Sequence, residues 1–470
     1  MLKMKWLRIM MISNHYKSMG KPSAFCWREL VTLLAVLFLV PLSAAQAEGI
    51  LDIYQQAIKN DPAYQGAQFS HDASKETLAQ ARSAFLPKIS AEGAYTGTHQ
   101  NVGRSDNTSY TPGSSSYPTT EYSVSLIQPL FNKSSLSNLF RAQAKVKGAD
   151  MELEAARQDL IVRVTKVYLG VLAARDKLNL AQTEEASIRM QYELAYSKYS
   201  LGLARKTDYL DAKARLAEVR ANRIAAESAL DGALQALREV TGKKAASLAP
   251  LRSDLPLKRP EPGEADAWIA AAVKQNPAIE VQRQSVEMAL QEYKRQVAGH
   301  YPVLNLEAKY SNIDTQGTLF GGGYEAGTSN VLVRLNFPIF EGGVVNSRSR
   351  EAYNLYQASL QEQERQLRAL QKETRAAYHG VLDAMERVAA LREAVEAQEL
   401  LVQAKQDGYR SGLYILVAVL DAQRDLTRGR QDYATARYDY VMNSLRLKKA
   451  AGTLAEGDMV TVQGWLEDSK

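Results

Sequence analysis

The sequence contains an internal duplication, and this feature constrains the fold more than any other. The segment from Tyr168 to Ala174 (YLGVLAA) recurs from Tyr378 to Ala384 (YHGVLDA), 210 residues later. Self-similarity at a fixed offset indicates two copies of one structural unit. We therefore predict a first repeat, a proline-rich linker, a second repeat and a short C-terminal tail, over residues 48–250, 251–263, 264–455 and 456–470.

Long stretches without proline occupy the same place in both repeats. No proline lies between Pro129 and Pro250 or after Pro338, and these stretches are rich in Ala, Leu, Glu, Gln and Arg. Such composition predicts very long helices. Apolar residues spaced by four, as at Leu160 and Val164, are typical of a coiled-coil seam. We expect long helices over residues 132–201 and about 207–240, and one shorter helix before each pair of strands, near 50–84 and 266–297.

Between the helices of each repeat, the hydrophobic period changes from helical to alternating. Leu304, Leu306 and Ala308 alternate with polar neighbours, and Val331 and Val333 also alternate with their neighbours. This period predicts strands, and their length suits a tilted strand that crosses a bilayer. The predicted strands lie near residues 88–98, 119–129, 303–312 and 329–338.

Four amphipathic strands cannot close a barrel by themselves. An open sheet edge in hydrocarbon would leave backbone groups without partners, so membrane-spanning strands would require several copies of the chain. Three copies would supply twelve strands, an even number that outer-membrane barrels use. Aromatic residues beside the strand-flanking prolines could form an interfacial belt or could be ordinary core aromatics: Phe85, Phe131, Tyr301 and Phe340.

The positive charge of the sequence is concentrated at its N-terminus. The chain has 58 basic and 52 acidic residues, and the first 47 residues hold six of the former and one of the latter, leaving 52 and 51. This balance argues against a nucleic-acid partner. An apolar run over residues 30–42 and a small-x-small site ending at Ala47 predict an export signal peptide over residues 1–47, with translation starting at Met1 or Met19.

No catalytic or metal-binding pattern is found in the mature chain. Cys26 lies in the predicted leader, so its removal excludes disulfides, thiol catalysis and thiolate metal sites. The mature histidines have no paired ligand spacing. We therefore expect no enzyme, cofactor or metal. A soluble periplasmic coiled-coil scaffold or adaptor is the competing class of protein, but it does not explain four alternating strands placed symmetrically in two repeats.

Short motifs follow one another in a fixed order through both repeats. The strand exits read QPLF from Gln128 to Phe131 and FPIF from Phe337 to Phe340, and a helical turn that begins at Tyr409 continues into Val-Leu-Asp-Ala. Together these motifs resemble the TolC family of outer-membrane channel-tunnels over essentially all of residues 48–460.

The resemblance implies a mainly α fold with β structure. This fold is a long α-helical coiled-coil barrel plus a transmembrane β-barrel formed by four strands from each of three protomers. The implied homotrimer lies in the outer membrane of a Gram-negative bacterium, contacts outer-membrane lipid and extends into the periplasm. The resemblance also implies that this homotrimer is an exit duct for type I protein secretion, multidrug efflux or both. The implied partners are a periplasmic adaptor (a membrane fusion protein) and an inner-membrane ABC or proton-driven transporter.

Acidic residues follow a Gly-Leu pair at both predicted hairpin turns. They are Asp208 and Asp211, after Thr207, in the first repeat and Asp421 in the second. Thr and Asp at a helix start can simply cap free amides and favour the helix dipole. The resemblance implies instead that Asp421 lines the periplasmic entrance, where three symmetry-related carboxylates would attract cations. Asp211 could contribute, because the companion acid of the family is Ala418 here.

The resemblance also implies a latch and a docking surface at the same hairpins. Asp208 and Tyr409 match positions that keep the entrance closed, but the arginine that usually reinforces them is Tyr414 here. We expect a weaker latch, unless Arg410 substitutes. Glycine at a hairpin tip is first of all a turn device. The family docks an adaptor at such tips, which here consist of Gly202, Leu203, Gly412 and Leu413.

Overall fold

A computed structural model describes residues 48–104, 112–244, 247–318 and 322–467. The predicted signal peptide and Cys26 lie outside these residues. The elements follow one another in the order α1 (Ile50–Asn60), α2 (Pro62–Ser83), β1 (Lys88–Val102), β2 (Gly113–Phe131), α3 (Lys133–Ser200), α4 (Lys206–Thr241), α5 (Ala265–Gln275), α6 (Pro277–Val297), β3 (Val303–Thr315), β4 (Tyr324–Asn336), α7 (Val344–Arg410), α8 (Leu416–Ala450) and α9 (Glu456–Gln463).

The prediction of one helix before each pair of strands is wrong, because proline breaks both segments. Asp61 is extended, and its side chain accepts a hydrogen bond from the Tyr64 amide at the start of α2. Asn276 has the same role at the start of α6, where it accepts from the Ala278 amide. Proline cannot continue a helix but is well suited to a first helical position. Each segment is therefore two helices.

Two very long helical hairpins dominate the molecule. Helix α3 has 68 residues and α7 has 67, so each is about 100 Å long. Helices α4 and α8 return along them. No helix among the described residues is both long and apolar enough to cross a membrane.

The main hydrophobic core lies where the linker crosses both hairpins. Tyr168 is completely buried, and its hydroxyl donates to the carbonyl oxygen of Ala249 at 2.8 Å. Tyr378, which matches Tyr168 in the duplication, donates to the carbonyl oxygen of Gly263 at 2.5 Å. Burial raises the pKa of the Tyr168 hydroxyl well above its ordinary value. Corresponding tyrosines of the two halves therefore hold the two ends of the linker.

The C-terminal segment is folded rather than a simple tail. Helix α9 buries Met459 and Val462 in the main core. Beyond this helix, Leu466 bridges to Leu251 in the linker. The segment therefore covers the linker.

The four strands form one antiparallel sheet in the order β1-β2-β3-β4. They are longer than predicted at the ends away from the helices, where the residues are mostly polar. Strands β1 and β4 are the two edges, and neither has a partner on its outer side within the described part of the chain.

The register separates an apolar face from a polar one. Residues directly opposite each other in antiparallel strands lie on the same face. One row across all four strands is apolar and consists of Ile89, Leu126, Ala308 and Val331. The next row is on the other face and is polar, consisting of Ser90, Ser125, Lys309 and Asn330.

Candidate functional site

The two hairpin tips have the same backbone turn. Gly202 and Gly412 have φ values of +72° and +81°, in the left-handed region that favours glycine. The Leu203 amide donates to the Lys198 carbonyl at 2.8 Å, and the Leu413 amide donates to the Gly408 carbonyl at 2.7 Å. These bonds close a Schellman motif at the end of each long helix. The four predicted tip residues therefore lie at two equivalent turns, one at the end of each hairpin.

The tips present apolar side chains to solvent. Leu203 and Leu413 are 74% and 80% exposed, and Ile415 is also exposed. A side chain added at Gly202 or Gly412 would meet no atom within 4 Å. The surface is therefore open for contact with another molecule.

The acidic residues near the tips do not cap helices. The N-caps of α4 and α8 are Arg205 and Ile415, and neither makes a side-chain capping hydrogen bond. Asp208 lies in the first turn of α4, where the helix dipole favours an acid. Asp211 and Asp421 lie beyond the first turn. The N-cap interpretation is therefore wrong for these acids, whereas the helix-dipole interpretation holds for Asp208.

Asp421 and Asp208 differ in their pairing. One carboxylate oxygen of Asp421 lies 3.2 Å from Nη1 of Arg424, one turn further along α8, and both side chains are 49% exposed. Arg424 also lies 3.2 Å from Asp425. Asp208 has neither an ion pair nor a hydrogen bond to another side chain within the described residues. Arg424 thus offsets part of the negative charge at Asp421, and its spacing of three residues was the signal for this pair in the sequence.

Tyr409 joins the ends of the two long helices. The Lys198 ammonium lies 5.0 Å from the centre of the Tyr409 ring, within cation–π distance. The ring also packs against a small buried cluster that contains Leu416 and Leu420. The Tyr409 hydroxyl has no hydrogen-bond partner within the described residues. The role of Lys198 could not be predicted from the sequence, because Lys198 contacts a residue more than 200 positions away.

The missing arginine is replaced by Tyr414, and both Tyr414 and the proposed substitute Arg410 contact their own hairpin. Nη1 of Arg410 lies 3.4 Å from Asp407, one turn earlier in α7. The Tyr414 ring lies against Gly408, at the point where a Cβ would be only 2.4 Å from the ring. Neither side chain reaches Asp208 within the protomer.

A cluster of four tyrosines, also missed from the sequence, fixes the first hairpin near its tip. The Tyr209 ring on α4 lies 5.5 Å to 5.8 Å from three rings on α3, those of Tyr192, Tyr196 and Tyr199. Ring contacts at these distances are favourable. The spacing of Tyr192 and Tyr196 by four residues was the only local signal for them.

An ionic cluster further along the same hairpin ties α3 to α4. Glu185 is buried and lies 2.5 Å from Arg189 and 2.7 Å from Arg223. The hydrogen bond from Arg189 lowers the pKa of the Glu185 carboxyl despite its burial. Glu184 lies 2.8 Å from Arg215, yet burial raises the pKa of its carboxyl. The hairpin that carries Asp208 is therefore anchored by paired charges.

Aromatic residues surround the helical end of the sheet. Phe131 is 45% exposed, Tyr301 is 46% exposed and Phe340 is 86% exposed. Three of the four predicted belt residues are thus not core aromatics in this chain, and Phe85 is half-buried. Their exposure suits the headgroup level of a bilayer.

Comparisons with known proteins agree with this architecture. The outer membrane efflux protein family matches residues 53–243 and 268–453. Outer membrane protein TolC of Vibrio cholerae is 31% identical over 430 residues, which cover 91% of this chain and 96% of that protein. Alkaline protease secretion protein AprF of Pseudomonas aeruginosa is 30% identical over 447 residues, which cover 93% of this chain and 91% of that protein.

A solved structure shares the fold at lower identity. The Campylobacter jejuni CmeC outer membrane channel superposes with a TM-score of 0.73 and 16% identity, covering 90% of each chain. This likeness agrees with the predicted fold class of long helices below a β-sheet. The family match extends over both halves of the sequence. The chain belongs to the outer membrane efflux protein family.

Proposed function

We propose that the chain is the outer-membrane exit duct of an export machine that works in type I protein secretion, multidrug efflux or both. The main support is the sheet, whose apolar row crosses all four strands while both edges lack partners. Three copies would close twelve strands into a barrel, with the helical hairpins continuing into the periplasm as a tunnel. Relatives named for efflux and for protease secretion support the same role.

The mature chain would begin after Ala47, once the predicted signal peptide is removed. Its two repeats, over residues 48–250 and 264–455, would each supply one hairpin and two strands to the duct. An inner-membrane ABC or proton-driven transporter would supply the energy. A periplasmic adaptor would contact the exposed hairpin tips.

Loss of the gene in its host tests the proposed function. We expect the deletion strain either to become sensitive to exported drugs or to stop secreting a protein, and the wild-type gene to restore export. The protein should be in the outer-membrane fraction and require detergent for release. Release by carbonate alone, together with unchanged export in the deletion strain, would favour the soluble scaffold.

The same strain tests docking at the tips. Gly412→Trp should block export, because it adds bulk at the adaptor contact. Gly412→Ala imposes a similar left-handed backbone strain without that bulk, and it should support export. Equal export by both variants would remove this tip from the docking surface.

Asp421 is proposed to attract cations at the periplasmic entrance. In planar bilayers, Asp421→Asn should weaken channel block by a trivalent cation at least about tenfold, because the cation loses one carboxylate per protomer. Arg424→Gln should strengthen the block, because it removes the cation that offsets Asp421.

Asp407→Asn is the matched control for Asp421. It also removes an acid that pairs with an arginine three residues later, but one that lies on α7. The trivalent cation should block the Asp407→Asn channel about as strongly as it blocks the wild-type channel. If Asp421→Asn retains full block, Asp421 is not the main cation site.

Asp208 and Tyr409 are proposed to latch neighbouring hairpins in the closed entrance. Both the Asp208 carboxylate and the Tyr409 hydroxyl lack partners in the described single chain, which leaves them available to a neighbouring protomer. We expect Asp208→Ala and Tyr409→Phe each to raise single-channel conductance. Asp231→Ala, which removes an exposed acid far from the tip, should leave conductance unchanged. Unchanged conductance in both latch variants would contradict the latch.

A further inference from the structure

A groove lies between α3 and α6, immediately below the strands. Its volume is about 560 Å³. Helix α3 contributes Lys133 and Phe140, and α6 contributes Tyr293 and Lys294. Tyr301, between α6 and β3, completes the aromatic lining. The groove therefore combines two ammonium groups with three aromatic rings.

The groove lies at the strand-to-helix boundary. Helix α3 begins two residues after β2 ends at Phe131, and Tyr301 lies two residues before β3 begins. If the strands cross the outer membrane, the groove lies at the level of the headgroups in the periplasmic leaflet. Strands β2 and β3 are the inner strands of the sheet. A second copy that pairs with β1 or β4 would therefore join the sheet at strands other than the two that adjoin the groove.

The two lysines have no acidic partner among the described residues. Neither Lys133 nor Lys294 forms an ion pair or a side-chain hydrogen bond within the described part of the chain. In contrast, the neighbouring Arg141 and Arg295 both pair with Glu292, at 3.0 Å and 2.7 Å. The groove therefore has an uncompensated positive charge that complements an anion.

Two depressions beside α3 and α6 differ in their lining residues. Groove residues on α3 occupy one helical face, at positions 133, 136, 137 and 140. A second depression is lined by α2 as well as by α3 and α6, and it contains Arg141, Lys145 and Glu292. Only the first depression has aromatic walls. Lysines beside aromatic rings are typical of side chains at a membrane interface.

We propose that this groove binds an anionic glycerophospholipid of the periplasmic leaflet. Lys133 and Lys294 contact the headgroup phosphate. Phe140, Tyr293 and Tyr301 pack against the glycerol and the first methylenes of the acyl chains. At a membrane interface, lysine ammonium groups are suited to contact phosphates, and aromatic rings are suited to contact the apolar part of a lipid. The proposal rests on the outer-membrane placement of the strands, but not on what the duct exports.

Native mass spectrometry of the full mature protein tests the proposal. The protein is purified from vesicles of phosphatidylethanolamine with and without phosphatidylglycerol. We expect the wild type to retain phosphatidylglycerol, and the double variant Lys133→Gln, Lys294→Gln to bind it about tenfold more weakly. Phe140→Ala should also lower retention, whereas Lys133→Arg, which keeps the charge, should retain the lipid.

Lys147→Gln is the matched control, because it removes an exposed charge from the same helix outside the groove. It should retain lipid like the wild type. Inorganic phosphate and glycerol 3-phosphate should not displace the lipid, since they lack the acyl chains that contact the rings. Displacement by either anion would overturn the lipid assignment in favour of a small-anion site, and equal retention by the double variant would overturn the site itself.

Membrane fractionation of the same variants separates this proposal from the proposed function. A wild type that lies in the outer membrane and supports export, but does not retain phosphatidylglycerol, would overturn only the lipid site. A wild type that is released by carbonate would overturn the proposed function.

Discussion

The unpaired backbone groups along the outer sides of β1 and β4 are the constraint on which the rest of the structure depends. Water can satisfy these groups, but hydrocarbon cannot. A sheet with an apolar face and two open edges must therefore pair with further copies before it can reside in a bilayer. In the proposed barrel, closure of the sheet would also position α3, because only Asn132 separates this helix from β2.

The duplication explains how one chain supplies two different hairpins. The Schellman turns at Gly202 and Gly412 are equivalent, and so are the tyrosines that hold the linker. The surroundings of the turns have diverged. At an offset of 210 residues, Asp208 corresponds to Ala418, and Lys198 corresponds to Gly408. The first hairpin thus carries Lys198 and Asp208, an acid without a partner among the described residues, whereas the second carries the tyrosine over which the lysine lies. Equivalent backbones give the two hairpins the same turn, and divergent side chains provide the contact between them.

Much of the fold could be predicted because its signals are local. The proline-free stretch of the first repeat predicted the bounds of α3 and α4 to within about one residue at each end, and alternation located all four strands. The predictions failed where a second physical effect acted. Asp61-Pro62 and Asn276-Pro277 split helices whose apolar pattern continues through the break. The strands extend beyond the apolar rows, into polar residues that alternation cannot identify. At the tips, the glycine turns could be predicted from the sequence. The contact of Lys198 with Tyr409 could not, since only tertiary packing brings these two residues together.

The central claim is that strands from three copies close one barrel. The most direct test is the native mass of the detergent-purified mature protein. The account predicts a single assembly of three chains that persists when lipid is removed. A stable monomer, or an assembly of another number of chains, would contradict the closure of the sheet edges by two neighbouring copies.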